Sequence, residues 1–157
     1  MFVGIATSVV EKLSIMDTSE HGSQAWTPPW PATEIVEGVW QSGHPWPGER
    51  WDAVIDLDGN QPPLEDVGLY VCWPIVDGPV PDHGLLVALA DLIADLRRAG
   101  KRVLIHCAGG MNRSGLLVAA ALIRNGMGAA EAIKLIRDRR PGALNNQQFV
   151  EHLLERL

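Results

Sequence analysis

The stretch Val103-Leu104-Ile105-His106-Cys107-Ala108-Gly109-Gly110-Met111-Asn112-Arg113-Ser114-Gly115 decides the fold. It opens as a short apolar strand over 102–106 and passes through five residues, two of them glycine. It re-enters helix at Arg113. The helix that follows, Arg113–Asn125, is apolar nearly all round (Leu116, Leu117, Val118, Leu122, Ile123), the mark of a buried helix. The intervening loop has the composition of an oxyanion receptor. Its glycines let successive N–H groups turn inward as a nest. The helix N-terminus adds partial positive charge, and Arg113 offers a planar fork for two oxygens at once. The same field favours the thiolate of a cysteine placed there, and a thiolate is a nucleophile. A buried structural cysteine in a turn would account for Cys107 alone. It would not account for His106, Gly110, Arg113 and Ser114 standing at these spacings.

Working outward, the best helical pattern precedes the loop. Leu85, Leu86, Leu89, Leu92, Ile93 and Leu96 repeat at helical spacing, Asp82 stands as N-cap, Arg97 and Arg98 fill the last turn, and Gly100 ends it. Strand signals lie at Gly38–Ser42, at Ala53–Leu57 (stopped by Asp58-Gly59-Asn60) and at Leu69–Val76. Beyond the loop, helices are expected over Ala129–Arg139, stopped by Pro141, and from about Asn146 to Leu157. Residues 14–33 read as an irregular arm, because Pro28, Pro29 and Pro31 exclude a regular helix. The expected architecture is α/β, a small central sheet flanked by helices. The expected organisation is an arm over residues 1–35 and one catalytic domain over residues 36–157.

The chain has 157 residues and a formal net charge of −6, and 46% of its residues are apolar, as in a soluble globular domain. An acidic total disfavours nucleic acid and membrane surfaces as partners. The charge is unevenly placed. Residues 1–96 carry 15 acidic and two basic side chains, whereas residues 97–157 carry 11 basic and four acidic ones. The half that holds the loop is the half prepared for an anion. Two cysteines, Cys72 and Cys107, make no disulfide framework and point to a reducing compartment. Met1–Val10 lacks a basic leading segment and meets Glu11 and Lys12 at once, so it reads poorly as a signal peptide. No run reaches the roughly 18 apolar residues of a membrane span. A cytoplasmic location is expected.

His106–Gly115 resembles the His-Cys-x5-Arg-Ser/Thr signature of cysteine-dependent protein tyrosine and dual-specificity phosphatases. The resemblance covers about 115 residues, from Gly38–Ser42 to the last helix, and not the first 35 or so. It implies a phosphotyrosine-phosphatase-like fold with the phosphate loop between a strand and a buried helix. By position, Cys107 is the nucleophile that forms a phosphocysteine, and Arg113 binds the phosphoryl group together with the loop residues Ala108, Gly109, Gly110, Met111 and Asn112. Ser114 assists the departing sulfur, and His106 tunes the thiolate through its contacts. Such enzymes take a phosphorylated protein or a small phosphate ester and need no cofactor or metal. A loose transition state also calls for a proton on the leaving oxygen. The resemblance places an aspartic acid about thirty residues before the cysteine. Asp77, in Trp73-Pro74-Ile75-Val76-Asp77-Gly78-Pro79, fits. Asp82 is the competitor, with a role as helix N-cap that explains it equally. Gln147 or Gln148 is a candidate for placing the hydrolytic water, against simple N-capping by Asn146 and a core Phe149.

Other signals point elsewhere. Asp56-Leu57-Asp58-Gly59 after an apolar run resembles the first motif of Mg2+-dependent haloacid-dehalogenase-type phosphohydrolases, but Asn60 stands where that family has Thr or Ser. A strand ending in an Asp-Gly turn explains the segment as well. Gly110-Met111-Asn112-Arg113 is similar to the Gly-x-Asn-Arg of RNA 5′-triphosphatases. The loop lacks the lysines of phosphoinositide-directed members. A non-catalytic phosphate-binding module would be expected to lack nucleophile, arginine or acid, and all three are here. Cys72 reads as a small core residue or as a redox partner of Cys107. Trp46 and Trp51 are candidates for walling a substrate pocket. Arg137, Arg139 and Arg140 read as a solvated helix end.

Overall fold

The computed structural model describes residues 31–157 apart from Pro47. The expected arm therefore falls outside the described residues as far as position 30, with Trp26 and Trp30. Among the described residues, the strands Thr33–Val36 (β1), Val39–Ser42 (β2), Ala53–Asp56 (β3), Leu69–Cys72 (β4) and Val103–His106 (β5) form one sheet. Their order is β1-β2-β5-β3-β4. β1 runs antiparallel to β2, and the other neighbours are parallel. The helices are His83–Arg98 (α1), Arg113–Arg124 (α2), Ala129–Arg139 (α3) and Gln147–Arg156 (α4).

The helices form where the periodicity placed them, and the sheet departs from expectation at two places. Residues 33–35, read as arm, belong to β1. A two-residue turn at Glu37-Gly38 folds β1 onto β2, with Gly38 at φ +81° and its N–H donated to Glu34 Oε1 at 3.0 Å. Ile35 is buried in the core, so the sheet starts at Thr33. The strand expected to reach Val76 stops at Cys72. Pro74 has no N–H to donate, yet Trp73 N and Ile75 N still bond the Asp56 and Leu57 carbonyls at 2.8 and 3.1 Å. The chain therefore follows β3 up to the loop that carries Asp77.

The core explains the character of α2. Ser114–Leu122 are all buried. Side chains from all four helices share one cluster with Val39, Ala53, Ile55, Val103 and Ile105 from one face of the sheet. The opposite face holds a smaller cluster around Trp51, Val54 and Leu104, with Trp40 and Tyr70 against it. Truncating any one of the buried leucines of α2 would cost about 2–5 kcal/mol. Among the described residues no helix is long and apolar enough to cross a membrane.

Candidate active site

Four parallel strands end side by side, and Ser42, His106, Asp56 and Cys72 stand in register at their carboxyl ends. Ligand sites of open α/β sheets form beyond such ends. The loops that follow β2, β3, β4 and β5 bring together His44, Asp58, Asp77 and the Cys107–Asn112 loop.

The phosphate loop is fixed from beneath by buried side chains. Gly110 has φ +66°, and a Cβ there would lie 2.2 Å from Gly43 N and from Ser42 C, so only glycine fits. Gln41 Nε2 donates to the Gly110 and Met111 carbonyls at 3.0 and 3.3 Å. Arg140 Nε donates to the Gly110 carbonyl at 2.6 Å, and its Nη1 reaches Pro31 O, Thr33 Oγ1 and Gln41 O. Turned toward these side chains, the carbonyls leave the N–H side of the loop for an anion. Arg140 is buried, which corrects its reading as part of a solvated helix end; Arg137 and Arg139 are exposed. Burial pushes the pKa of Arg140 down, and the charge of Cys107 acts the other way.

Cys107 is 3% exposed, at the floor of the loop, with Ser114 Oγ 3.5 Å from its Sγ. Arg113 is anchored through Nη1 alone among the described contacts. That nitrogen donates to Asp58 Oδ1 at 2.8 Å and to the Leu57 and Ile75 carbonyls at 3.2 and 3.1 Å. Nε and Nη2 remain for two oxygens of a bound group. Asp58 also accepts from Asn60 Nδ2 at 3.1 Å and faces His44 Nε2 at the same distance. Burial works to raise its pKa, but the bonds from Arg113 and Asn60 outweigh burial and hold it below the usual carboxylate range.

Asp56 has other partners. Its Oδ1 accepts the Asp58 and Gly59 amides at 2.7 and 3.0 Å, and its Oδ2 accepts the Tyr70 hydroxyl at 2.6 Å. Burial works to raise its pKa, and Tyr70, the two amides and nearby His106 together bring it below the ordinary value. His106 Nε2 lies 3.7 Å from Asp56 Oδ1, and its buried Nδ1 has no partner. Burial holds His106 below the usual histidine range, with Asp56 opposing. The carboxylates of the Asp-x-Asp pair thus diverge to different partners, and neither is left over for a hard cation.

Asp77 is brought to the rim of the phosphate loop. Its Oδ2 accepts Asn112 Nδ2 at 2.8 Å, and its Oδ1 accepts Asn146 Nδ2 at 2.6 Å. Asp82 instead caps α1, its Oδ1 accepting Leu85 N at 2.9 Å. Asn146 caps α4 through Gln148 N and Phe149 N, and Phe149 is fully buried. Gln147 bonds Glu151, and Asn146 rather than either glutamine bonds the loop that carries Asp77.

The remaining candidates lie elsewhere. Cys72 is exposed rather than core, and burial together with the Asp56 charge pushes its thiol pKa up. It lies two strands from β5. Its side chain is on the Asp56 face, whereas Cys107 packs into the core on the helix face. Trp51 is 4% exposed, stacked edge-on against Trp40 under the Arg102 guanidinium. Trp46 is exposed and lines a small cleft with Ser42, His44 and Glu49.

Sequence reasoning missed Gln41 and Asp58 as the arginine anchor, and it gave Arg140, Asn112 and Asn146 other roles than the contacts they make here. For Gln41 a signal existed: strand alternation places it on the buried side with Val39.

This geometry has relatives. The dual specificity phosphatase catalytic domain matches residues 82–156. Protein tyrosine phosphatase type IVA 2 of Mus musculus is 35% identical over 100 residues, which is 62% of this chain and 60% of that one. Protein tyrosine phosphatase type IVA 3 of Homo sapiens is 36% identical over 99 residues, 61% and 57% of the two chains. The chain thus spans about three-fifths of the length of these curated relatives. Among solved structures, Tk-PTP in its active form superposes with a TM-score of 0.67 at 32% identity, over 80% of this chain and 97% of that one. DUSP15 gives 0.70 at 25% identity, over 79% and 85%. The family-model match and the 32% identity along nearly the whole of one solved relative of the same overall fold carry one conclusion: the chain belongs to the family of cysteine-dependent protein tyrosine and dual-specificity phosphatases.

Proposed function

We propose that the protein hydrolyses phosphate monoesters, phosphotyrosine in proteins first among them and phosphoserine or phosphothreonine next, through a phosphocysteine. The Cys107 thiolate attacks phosphorus, the S–P bond forms and the P–O bond to the alcohol breaks. The departing oxygen keeps the electron pair and takes the proton of Asp77. Arg113 and the loop N–H groups hold the three equatorial oxygens, where charge develops. In the second step water attacks phosphorus, its proton returns to Asp77, and the electron pair of the S–P bond goes back to sulfur. Ser114 donates its hydroxyl hydrogen to that sulfur. His106 acts through the Asp56 network beneath the loop, not on the substrate.

The observation that supports this most is the contact between Asp77 and Asn112, which sets a carboxyl group at the mouth of the loop that holds Cys107. The same contact weighs against the RNA 5′-triphosphatase reading, because the Asn112 side chain is engaged by protein groups. The catalytic unit is assigned to the residues from Thr33 onward, and the two free cysteines support a reducing, cytoplasmic setting.

Cys107→Ser is expected to abolish turnover of an aryl phosphate while vanadate still binds. EDTA is expected to leave the rate unchanged. Full activity in Cys107→Ser would overturn the proposal, and loss of activity with EDTA and in Asp56→Asn would favour the metal-dependent alternative. A panel of phosphotyrosine, phosphoserine, phosphoinositide and nucleoside triphosphate at fixed pH then ranks the substrates.

A further inference from the structure

We propose that Asn112 is a positioning residue that holds the acid loop against the phosphate loop. The inference rests on the assignment of Cys107 as nucleophile and Asp77 as acid.

Asn112 occupies the N-cap position of α2, where an asparagine ordinarily accepts an N–H of the first turn through its side chain. It makes no such bond. The first N–H groups of α2 are thereby left for an anion, as an oxyanion site at a helix N-terminus requires.

The side chain is used across the site instead. Its Nδ2 donates to Asp77 Oδ2 at 2.8 Å and to Asn145 Oδ1 at 2.7 Å. Its Oδ1 accepts Asn145 N at 2.9 Å and Asn146 N at 3.2 Å. Asn146 closes the ring from the other side, donating to Asp77 Oδ1 at 2.6 Å and to the Gly78 carbonyl at 3.2 Å. One amide thus ties three segments together: the phosphate loop, the acid loop and the entry to α4.

Apart from Asn146 and the packing of Val80 on the core, the acid loop has little else to hold it there. Ile75 is buried, but Val76 is 71% exposed, Asp77 and Pro79 are exposed, and Gly78 N bonds only Val76 O. Without Asn112 the loop keeps its root at Ile75 and loses its tie to the residue next to Arg113. Asp77 Oδ2 would lose its tie to the phosphate loop, and Oδ1 would keep only Asn146, whose own amide loses its Asn112 partner. The fraction of molecules with the acid in place falls, and the observed rate falls with that fraction wherever the proton is needed.

The test compares kcat for phenyl phosphate, whose leaving group needs the proton, with kcat for 2,4-dinitrophenyl phosphate, whose leaving group does not. Asn112→Ala is expected to lower the first by about tenfold or more and the second by no more than about threefold, within the ~10²–10⁴ that a general acid supplies. Added to Asp77→Asn it is expected to cost nothing further on phenyl phosphate. Asn112→Ser, whose hydroxyl is too short to reach Asp77, is expected to give the same profile and serves if the alanine variant does not fold. An equal loss on both esters, or a full additional loss in the double variant, would overturn the proposal and assign Asn112 to shaping the phosphate loop. If Asp77→Asn showed no leaving-group dependence, the acid assignment would fall along with this inference. Turnover by Cys107→Ser would instead overturn the parent reading.

Discussion

The phosphate loop and the acid loop lie against each other and are held by opposite means. The phosphate loop rests on buried groups that have little freedom: Gly110 pressed on the Ser42-Gly43 backbone, Gln41 and Arg140 on its carbonyls, Asp58 on Arg113. The acid loop is held at its exposed tip by two asparagines. The difference fits the role proposed for each. Oxyanion donors stabilise a transition state only if they do not reorganise as charge develops. A proton donor must also release the product alcohol and admit water, so surface amide contacts that can open suit it better than buried ones.

The sharpest way to break this comparison is at Gly110. Gly110→Ala places a methyl into backbone at 2.2 Å and at φ +66°. Turnover is expected to fall by at least about 10², the effect of losing a single oxyanion donor, because the whole loop must shift. Retained activity would mean that the loop is as tolerant as its neighbour. The next largest effect is expected from Asp58→Asn, which removes the charge from the Arg113 anchor. A bond to a charged group contributes about 1.5–3 kcal/mol, so kcat/KM should fall by about 10- to 100-fold. A change in KM alone would restrict Asp58 to binding rather than to transition-state alignment. Arg140→Met tests the same support through stability. It removes the guanidinium bonds to the Gly110, Pro31 and Gln41 carbonyls and to Thr33 Oγ1, and a loss of about 2–3 kcal/mol should lower Tm by about 5–10 °C.

The smallest expected effect is on pH dependence. Burial holds His106 below the usual histidine range, so the folded state keeps it neutral while the unfolded chain binds a proton below about pH 6.5. Its contribution is present above that value and is lost as pH falls through it. Asp56 acts lower. Despite burial, its bonds from Tyr70 and two amides keep its folded pKa depressed, so its contribution is present above about pH 4 and fades as pH falls toward the folded value. Thermal melts should therefore show Tm dropping from pH 7 to pH 5 and again below pH 4. His106→Gln should flatten the first drop. The comparison is best made in a His152→Gln background, because His152 is also held low, by burial and by the charges of His83 and Arg156. An unchanged slope would detach His106 from the support of the loop.

How much of this was legible in the sequence depends on whether the cause was local. Cys107 to Ser114 could be read because a strand, a nest and a helix N-terminus are contiguous, and so could α1, capped by Asp82 and stopped at Gly100. β1 was hidden because only four residues follow a proline-rich stretch, although Glu37-Gly38 between apolar pairs was a hairpin signal. Asp56-x-Asp58 looked like a metal pair because adjacent carboxylates look alike until their partners are known. Arg140 lies 30 residues from Gly110 and more than 100 from Pro31 and Thr33. A buried cation serving such distant carbonyls leaves no periodic trace, and at a helix end it reads as solvated. The asparagine ring around Asp77 was hidden for a similar reason. Asn112 and Asn146 both occupy N-cap positions, and local rules assign them local roles.

The most direct test of the central claim is to trap the intermediate. The enzyme is mixed with an aryl phosphate, quenched in acid within a turnover, digested and weighed. A phosphoryl group on the peptide carrying Cys107, absent from Cys107→Ser and accumulating in a variant slowed in the hydrolytic step, is the predicted result. Steady turnover with no phosphoryl group on Cys107, or with the label on Asp56 or Asp58, would contradict it.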